Sequence, residues 1–137
     1  MAATKTSGNP VQPRPTEAEL AILRVLWERG GATVREVHAE LGNDTGYTTV
    51  LKLMQIMAEK GLVRRNETQR AHIYTAALAQ EQTQRQLTAD LLQRAFGGSA
   101  TRFMMQLLNA GETSAGDIAE LRRLLDEYEA RQKGGAQ

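Results

Sequence analysis

Apolar residues recur at helical spacing in three successive runs of the first half of the chain, and glycines follow each run. The first two runs open with a threonine followed three residues later by a glutamate, which is the capping-box signature of a helix N-terminus. The third run extends from about Thr45 or Gly46 to Lys60 and follows the i, i+3, i+4, i+7 spacing of one helix face. Three short helices are therefore predicted. Thr16 with Glu19 caps the first, and Thr33 with Glu36 caps the second. The inner face of the third consists of Val50, Leu53, Met54 and Met57.

After Gly61 the period of the pattern changes from helical to two. Leu62 and Val63 open a short strand, and residues 66–69 form a polar turn. A second strand follows, in which we expect one set of alternate residues to face the core and the other to face outward: Ala71, Ile73 and Thr75 inward, and Arg70, His72 and Tyr74 outward. Three helices followed by a hairpin predict a winged helix-turn-helix over residues 15–78, in a fold that is mainly α with a small β-hairpin wing.

Three helices are predicted in the second half of the chain. The first extends from about Gln80 to Phe96, a short second helix ends at Gly111, and the last begins at Ser114. These helices carry an apolar stripe but have no evident core of their own, and pairing with a second copy explains this pattern. We therefore predict a helical dimerisation domain over residues 79–132, with this homodimer interface: Leu107, Leu108, Ile118, Leu121, Leu124, Leu125 and Tyr128. Residues 1–14 are interpreted as a disordered leader and residues 133–137 as a frayed tail.

Composition excludes several classes of function. The chain has no cysteine, and its two histidines lack the spacing of a metal-binding motif, so no metal and no cofactor are expected. No phosphate-binding loop or nucleophile triad is present, so no enzymatic activity is expected. The longest apolar runs are shorter than the 18 residues that a transmembrane helix needs, which predicts no membrane insertion and a cytoplasmic location.

Charge is distributed unevenly, although the net charge is only +1. Residues 45–75 contain five bases and two acids, whereas residues 79–137 contain seven bases and eight acids. A basic excess confined to the third helix and the hairpin is the electrostatic footprint of a nucleic-acid-binding segment.

The outer face of the third helix carries the side chains that suit DNA. Thr48 and Thr49 lie in its first turn, the part that meets base edges in this geometry. Lys52 can reach guanine or a phosphate, Gln55 can read adenine, and Leu51 can contact a thymine methyl group. The hairpin is typical of a wing that grips the DNA backbone through three arginines: Arg64, Arg65 and Arg70.

These stretches also resemble a known family, the penicillinase repressors (BlaI/MecI/CopY). The resemblance is carried by TEAELAILRVLWERG, ATVREVHAEL, GYTTVLKLMQIMAEKGLVRR and RAHIY, and more weakly by LLQRAFGGS and DIAELRRLLDE. It implies a homodimeric repressor on a palindromic double-stranded DNA operator, which controls β-lactam resistance in some members and copper homeostasis in others. In the β-lactam branch, a membrane sensor-protease triggers cleavage of the repressor. The resemblance places the DNA-reading positions at Tyr47, Thr48, Thr49, Leu51 and Lys52, and the wing contact at Arg70.

Two features depart from the family pattern. The copper branch carries a cysteine-rich tail, which this chain lacks. The staphylococcal members are cut at an Asn-Phe bond after a Gly-Gly pair, and the corresponding place here holds Met105-Gln106. Two alternatives remain open from the sequence: a winged-helix regulator that is released by a small effector, and a winged-helix module for protein interaction.

Overall fold

Helices dominate the computed structural model, which describes residues 14–42 and 44–135. The predicted fold class, mainly α with a small hairpin, is confirmed. Residues 1–13 of the predicted leader and residues 136 and 137 of the predicted tail lie outside the described residues, whereas residues 133–135 of that tail continue the last helix. The elements are α1 (Glu17–Arg29), α2 (Val34–Leu41), α3 (Tyr47–Lys60), β1 (Val63–Asn66), β2 (Ile73–Ala76), α4 (Gln80–Phe96), α5 (Ala100–Asn109) and α6 (Ala115–Gly135).

The described part of the chain forms two compact units, which divide between Leu87 and Thr88. The division falls within α4, whereas the sequence-based boundary lies after Leu78, where the wing ends. The first turns of α4 belong to the first unit and include Thr83, which is buried.

Both predicted capping boxes are present in the first unit. The backbone amide of Thr16 donates to Glu19 Oε1 at 2.9 Å, and the amide of Glu19 donates to Thr16 Oγ1 at 3.2 Å. Thr33 and Glu36 make the same reciprocal pair at 2.9 and 3.1 Å. Each box satisfies two backbone amides that a helix start otherwise leaves unpaired, which explains why α1 and α2 begin at these residues.

The core of the first unit is aliphatic apart from Tyr74. Residues from α1, α2, α3, β1 and β2 meet in it. Full burial of one aliphatic side chain stabilises the fold by about 1.5–3 kcal/mol. Its most deeply buried residues are Ile22, Leu26, Val37, Val50, Met54, Met57 and Tyr74.

The hairpin is extended by a residue from the connection between α1 and α2. β1 and β2 pair antiparallel, with Arg65 opposite Tyr74. Ala32 forms a bridge to the other edge of β2: its amide donates to the carbonyl of Tyr74 at 3.0 Å and its carbonyl accepts from the amide of Tyr74 at 2.8 Å. The predicted facing of this strand was wrong for Tyr74, which is 2% exposed and belongs to the core, and for Ala71, which is exposed. Ile73 and Thr75 are only half-buried, whereas Arg70 and His72 are exposed as predicted. The turn also begins later than predicted, since Asn66 is the last residue of β1.

The second unit contains the end of α4 together with α5 and α6. Ser99 caps α5 by accepting from the amide of Arg102 at 3.1 Å, and the rings of Phe96 and Phe103 lie 5.2 Å apart. Among its described residues none is buried, so the apolar side chains of α5 and α6 remain accessible.

Candidate nucleic-acid interface

The outer face of α3 is polar and exposed. Thr48, Thr49, Lys52 and Gln55 are all exposed, while the buried residues of α3 lie on its opposite side. Leu51, predicted to be an exposed aliphatic side chain, is half-buried and packs against the edge of the core. The face therefore presents hydroxyl, ammonium and amide groups, which can hydrogen-bond to base edges and phosphates.

The N-terminus of α3 differs from those of α1 and α2. Its N-cap is Gly46, which provides no side-chain hydrogen bond, and its first turn contains no acid. The first-turn amides thus lack the side-chain acceptor that the threonine boxes give the other two helices. Amides in this position, with the positive end of the helix dipole, favour an anion such as phosphate.

An open groove of about 470 Å³ lies between the start of α2, one side of α3 and the hairpin. It brings together five of the predicted DNA-binding residues, whereas Thr48, Thr49, Lys52 and Arg64 are exposed outside it. None of the described residues that line it is acidic, so the groove has a positive lining. The lining residues are Thr33, Val34, Arg35, Tyr47, Leu51, Gln55, Arg65, Arg70, Ala71, His72 and Tyr74.

The wing arginines differ in their intramolecular partners. Arg65 Nε lies 2.6 Å from Glu67 Oε2. Hydrogen bonding of its guanidinium to Tyr74, and then to Glu67, raises the pKa of Arg65 above its ordinary value. Arg64 and Arg70 are exposed and form no ion pair within the described part of the chain. These two are therefore available to an external anion, whereas Arg65 must first exchange the Glu67 carboxylate.

Two polar groove residues, Arg35 and His72, were not among the predicted DNA-binding residues, and Thr33 was predicted only as the cap of α2. A further neighbour, His38, lies edge-on to the ring of Tyr47, with centroids 5.7 Å apart, and supports that ring at the groove. No local pattern marks these residues, because the Ala32–Tyr74 bridge is what brings the start of α2 beside the hairpin.

The far end of α3 is held by a buried carboxylate. Lys60 Nζ lies 2.9 Å from both oxygens of Glu19, whose side chain is 3% exposed. Burial, the largest single influence, would raise the pKa of Glu19, but hydrogen bonds from Thr16 and the Lys60 ammonium together lower it below the ordinary value. The carboxylate is therefore ionised at neutral pH and fixes α3 against α1.

Other kinds of site are not apparent in the part of the chain that the structure describes. No group of three or more histidine, aspartate and glutamate side chains there is arranged to hold a metal ion. No described helix is both long enough and apolar enough to cross a membrane.

Comparison with known proteins identifies the family of this chain. The family model for the penicillinase repressor matches residues 15–127. The chain is 23% identical to the penicillinase repressor of Bacillus licheniformis over 123 residues, which cover 88% of this chain and 96% of that protein. It is 34% identical to the transcriptional regulator BlaI of Mycobacterium tuberculosis (strain ATCC 25618 / H37Rv) over 118 residues, which cover 83% of this chain and 84% of the regulator. The chain therefore belongs to the penicillinase repressor family, whose members are DNA-binding transcriptional repressors and not enzymes.

Proposed function

We propose that this chain represses transcription as a homodimer on a palindromic operator, with α3 of each protomer in the major groove. The observation that carries the proposal is the exposed face of Thr48, Thr49 and Lys52, which lies next to an acid-free groove. In this geometry the N-terminal part of the recognition helix meets the base edges. Lys52 then contacts guanine or phosphate, and Gln55 reads adenine from one turn farther along.

The wing supplies contacts that do not depend on base sequence. Arg64, Arg65 and Arg70 project from the hairpin and bind phosphates on the DNA strand that borders the major groove. Tyr47 and Leu51 give the protein groove an apolar side that suits the sugars or a thymine methyl group. Phosphate contacts of this kind position a protein on DNA, and the base contacts of α3 provide specificity.

The proposed dimer uses the apolar stripe of the second unit. α5 and α6 bury none of their described side chains, and Leu125 is 61% exposed. Two copies related by a twofold axis would cover these stripes and present two recognition helices to two half-sites. A palindromic operator follows from that symmetry.

We propose further that the controlled genes belong to a β-lactam resistance operon or a related stress-response operon. Family membership and the similarity to a protein named penicillinase repressor support this assignment. Repression would end when a membrane sensor-protease triggers cleavage between residues 97 and 110. This segment contains α5, which lacks a buried side chain and can open locally at little cost.

Selection of DNA from a random-sequence library by the full chain tests the DNA-binding part of the proposal. We expect enrichment of an inverted repeat whose half-sites are about one helical turn apart. A chain that enriches no sequence and is not retained on heparin would contradict it, and would favour a protein-interaction module. Mass spectrometry of the chain from cells treated with a β-lactam tests release: a cut within residues 97–110 is expected, and an intact chain alongside derepressed genes would contradict it.

A further inference from the structure

Arg35, the second residue of α2, lines the same groove as two wing arginines, Arg65 and Arg70. The helix preceding the recognition helix therefore contributes a cation to the groove from one side, and the hairpin contributes cations from the other. His72 and Gln55 add polar groups between them.

The position of Arg35 relative to the hairpin is fixed by the backbone. Ala32, three residues earlier, exchanges two hydrogen bonds with Tyr74, at 3.0 and 2.8 Å. Thr33 then starts α2 through its reciprocal pair with Glu36. Because the bridge and the cap follow each other directly, the first turn of α2 cannot move away from the hairpin without breaking one of them.

The acids nearest to Arg35 in sequence are engaged elsewhere. Glu36 and Glu40, on the same helix, each lie 3.2 Å from the guanidinium of Arg29. Arg35 itself is exposed and forms no ion pair among the described residues. Its charge is therefore uncompensated at the groove, as is that of Arg70.

We infer that Arg35 binds a backbone phosphodiester of the operator, on the strand that runs through this groove between α3 and the wing. The inference rests on the proposed function and extends the interface to α2. A sugar-phosphate strand fits the groove better than a small free anion, because cations line it from both sides and Val34, Leu51 and Ala71 add apolar surface for the sugars. Such a strand separates the major groove, which receives α3, from the minor groove beside the wing.

The salt dependence of binding to a random-sequence duplex tests the contact without knowledge of the operator. Each neutralised phosphate contributes about 0.9 to the slope of log affinity against log salt. Arg35→Ala in the full chain should reduce the slope by about that amount, and Arg35→Lys should restore most of it. Arg24→Ala is the matched control, because Arg24 is an exposed arginine of α1 outside the groove, and it should leave the slope unchanged.

Single neutral methylphosphonates in a duplex selected by the wild-type chain identify the partner phosphate. At one backbone position per half-site, the methylphosphonate should lower the DNA affinity of the wild type about as much as Arg35→Ala lowers it. At that same position it should not lower the affinity of the Arg35→Ala variant any further. If every position weakens the variant and the wild type equally, Arg35 does not contact the backbone. Inorganic phosphate provides a second test, at millimolar concentration and constant ionic strength. If it competes equally strongly with the random-sequence duplex and with the selected duplex, a free anion is the ligand instead, and the inference is overturned.

The inference and the proposed function can fail separately. If Arg35→Ala keeps the wild-type slope while Thr49→Ala with Lys52→Ala still abolishes sequence discrimination, only the role of Arg35 is wrong. If the wild type discriminates between no sequences, the proposed function is wrong. Circular dichroism melting shows whether Arg35→Ala remains folded, and Arg35→Gln takes its place if it does not.

Discussion

Both carboxylate oxygens of Glu19, in the first turn of α1, accept hydrogen bonds from the ammonium of Lys60, the last residue of α3, at 2.9 Å each. One of these oxygens also accepts from the backbone amide of Thr16 and so completes the capping box of α1. A single buried side chain thus joins the start of one helix to the end of the helix that carries the candidate DNA-reading residues.

Glu19→Gln should destabilise the first unit at neutral pH. The amide keeps the shape of the side chain but not its charge, and it leaves Lys60 without its ionic partner, at a cost of about 1–3 kcal/mol. Because the pKa of Glu19 is lowered in the folded state, the ionic contribution is complete above the ordinary value of 4.5 and is lost as the pH falls through the lowered value. The difference between wild type and variant should therefore shrink below pH 4.5.

Urea unfolding monitored by Trp27 fluorescence at several pH values measures this effect. Trp27 is the only tryptophan, and its indole nitrogen donates to the carbonyl of Leu78 at 2.9 Å within the first unit. Glu28→Gln, at an exposed position of α1, is the control and should change stability by less than about 0.5 kcal/mol. Equal stability of Glu19→Gln and wild type at pH 7 would contradict the assigned role.

The features that could be predicted from the sequence are those set by contacts between residues a few positions apart. Thr16 and Glu19 are three residues apart, so their capping box is visible in the sequence, and the inner face of α3 follows from helical periodicity alone. The pairing of Glu19 with Lys60 spans 41 residues and leaves no periodic signal. The inward facing of Tyr74 was missed for the same reason: which face of a four-residue strand is covered depends on the helices that pack on it, and α1, which is distant in the sequence, packs against β2.

Some residues of the candidate interface could be placed from the sequence, and others are placed only by the tertiary fold. Thr48, Thr49 and Lys52 could be placed on an outer face because a helix of 14 residues has a well-defined period. Arg35 could not be placed in the same groove as Arg70, because three segments that are distant in the sequence form the groove. The positions of its charges depend on the tertiary fold of the first unit.

Thr49→Ala combined with Lys52→Ala should remove discrimination between the selected duplex and random DNA. A good base contact provides about 1–3 kcal/mol of discrimination, so the loss of two such contacts should lower the ratio of the two affinities at least tens-fold. Both side chains are exposed, and the fold should therefore be retained.

Gel-shift competition between the two duplexes measures this ratio. Arg24→Ala, remote from the face, should preserve the wild-type ratio. Undiminished specificity in the folded double variant would remove α3 from the role of base reader.

Glu67→Gln should strengthen binding to DNA of any sequence. The Glu67 carboxylate lies 2.6 Å from Arg65 and competes with phosphate for its guanidinium. The amide no longer competes and no longer repels the backbone, so the affinity should rise and the salt slope should steepen by up to about one unit.

Fluorescence anisotropy with a random-sequence duplex at several salt concentrations measures both quantities. Glu81→Gln is the control, since Glu81 is an exposed acid in the first turn of α4 and lies outside the hairpin. Weaker or unchanged binding by Glu67→Gln would mean that Arg65 does not contact phosphate.

Leu121→Asp combined with Leu125→Asp should convert the proposed dimer to a monomer while leaving the first unit folded. Both residues belong to the α6 stripe, and burying two carboxylates in an apolar interface without partners is costly. The monomer loses the tethering that makes the second half-site contact effectively intramolecular, so affinity for an inverted repeat should fall about a hundred-fold or more.

The control for this prediction uses the same helix and the same change in charge. Ala119 and Ala130 are exposed and lie on the side of α6 opposite the stripe, so Ala119→Asp with Ala130→Asp should remain dimeric and bind the repeat as the wild type does. Sedimentation equilibrium gives the oligomeric state, and gel shift on the selected repeat gives affinity and cooperativity. On a single half-site the stripe variant and the wild type should bind about equally, because the contacts of one α3 and one wing are unchanged. A wild-type chain that is monomeric at micromolar concentration would contradict the interface, and so would a stripe variant that binds the full repeat as tightly as the control.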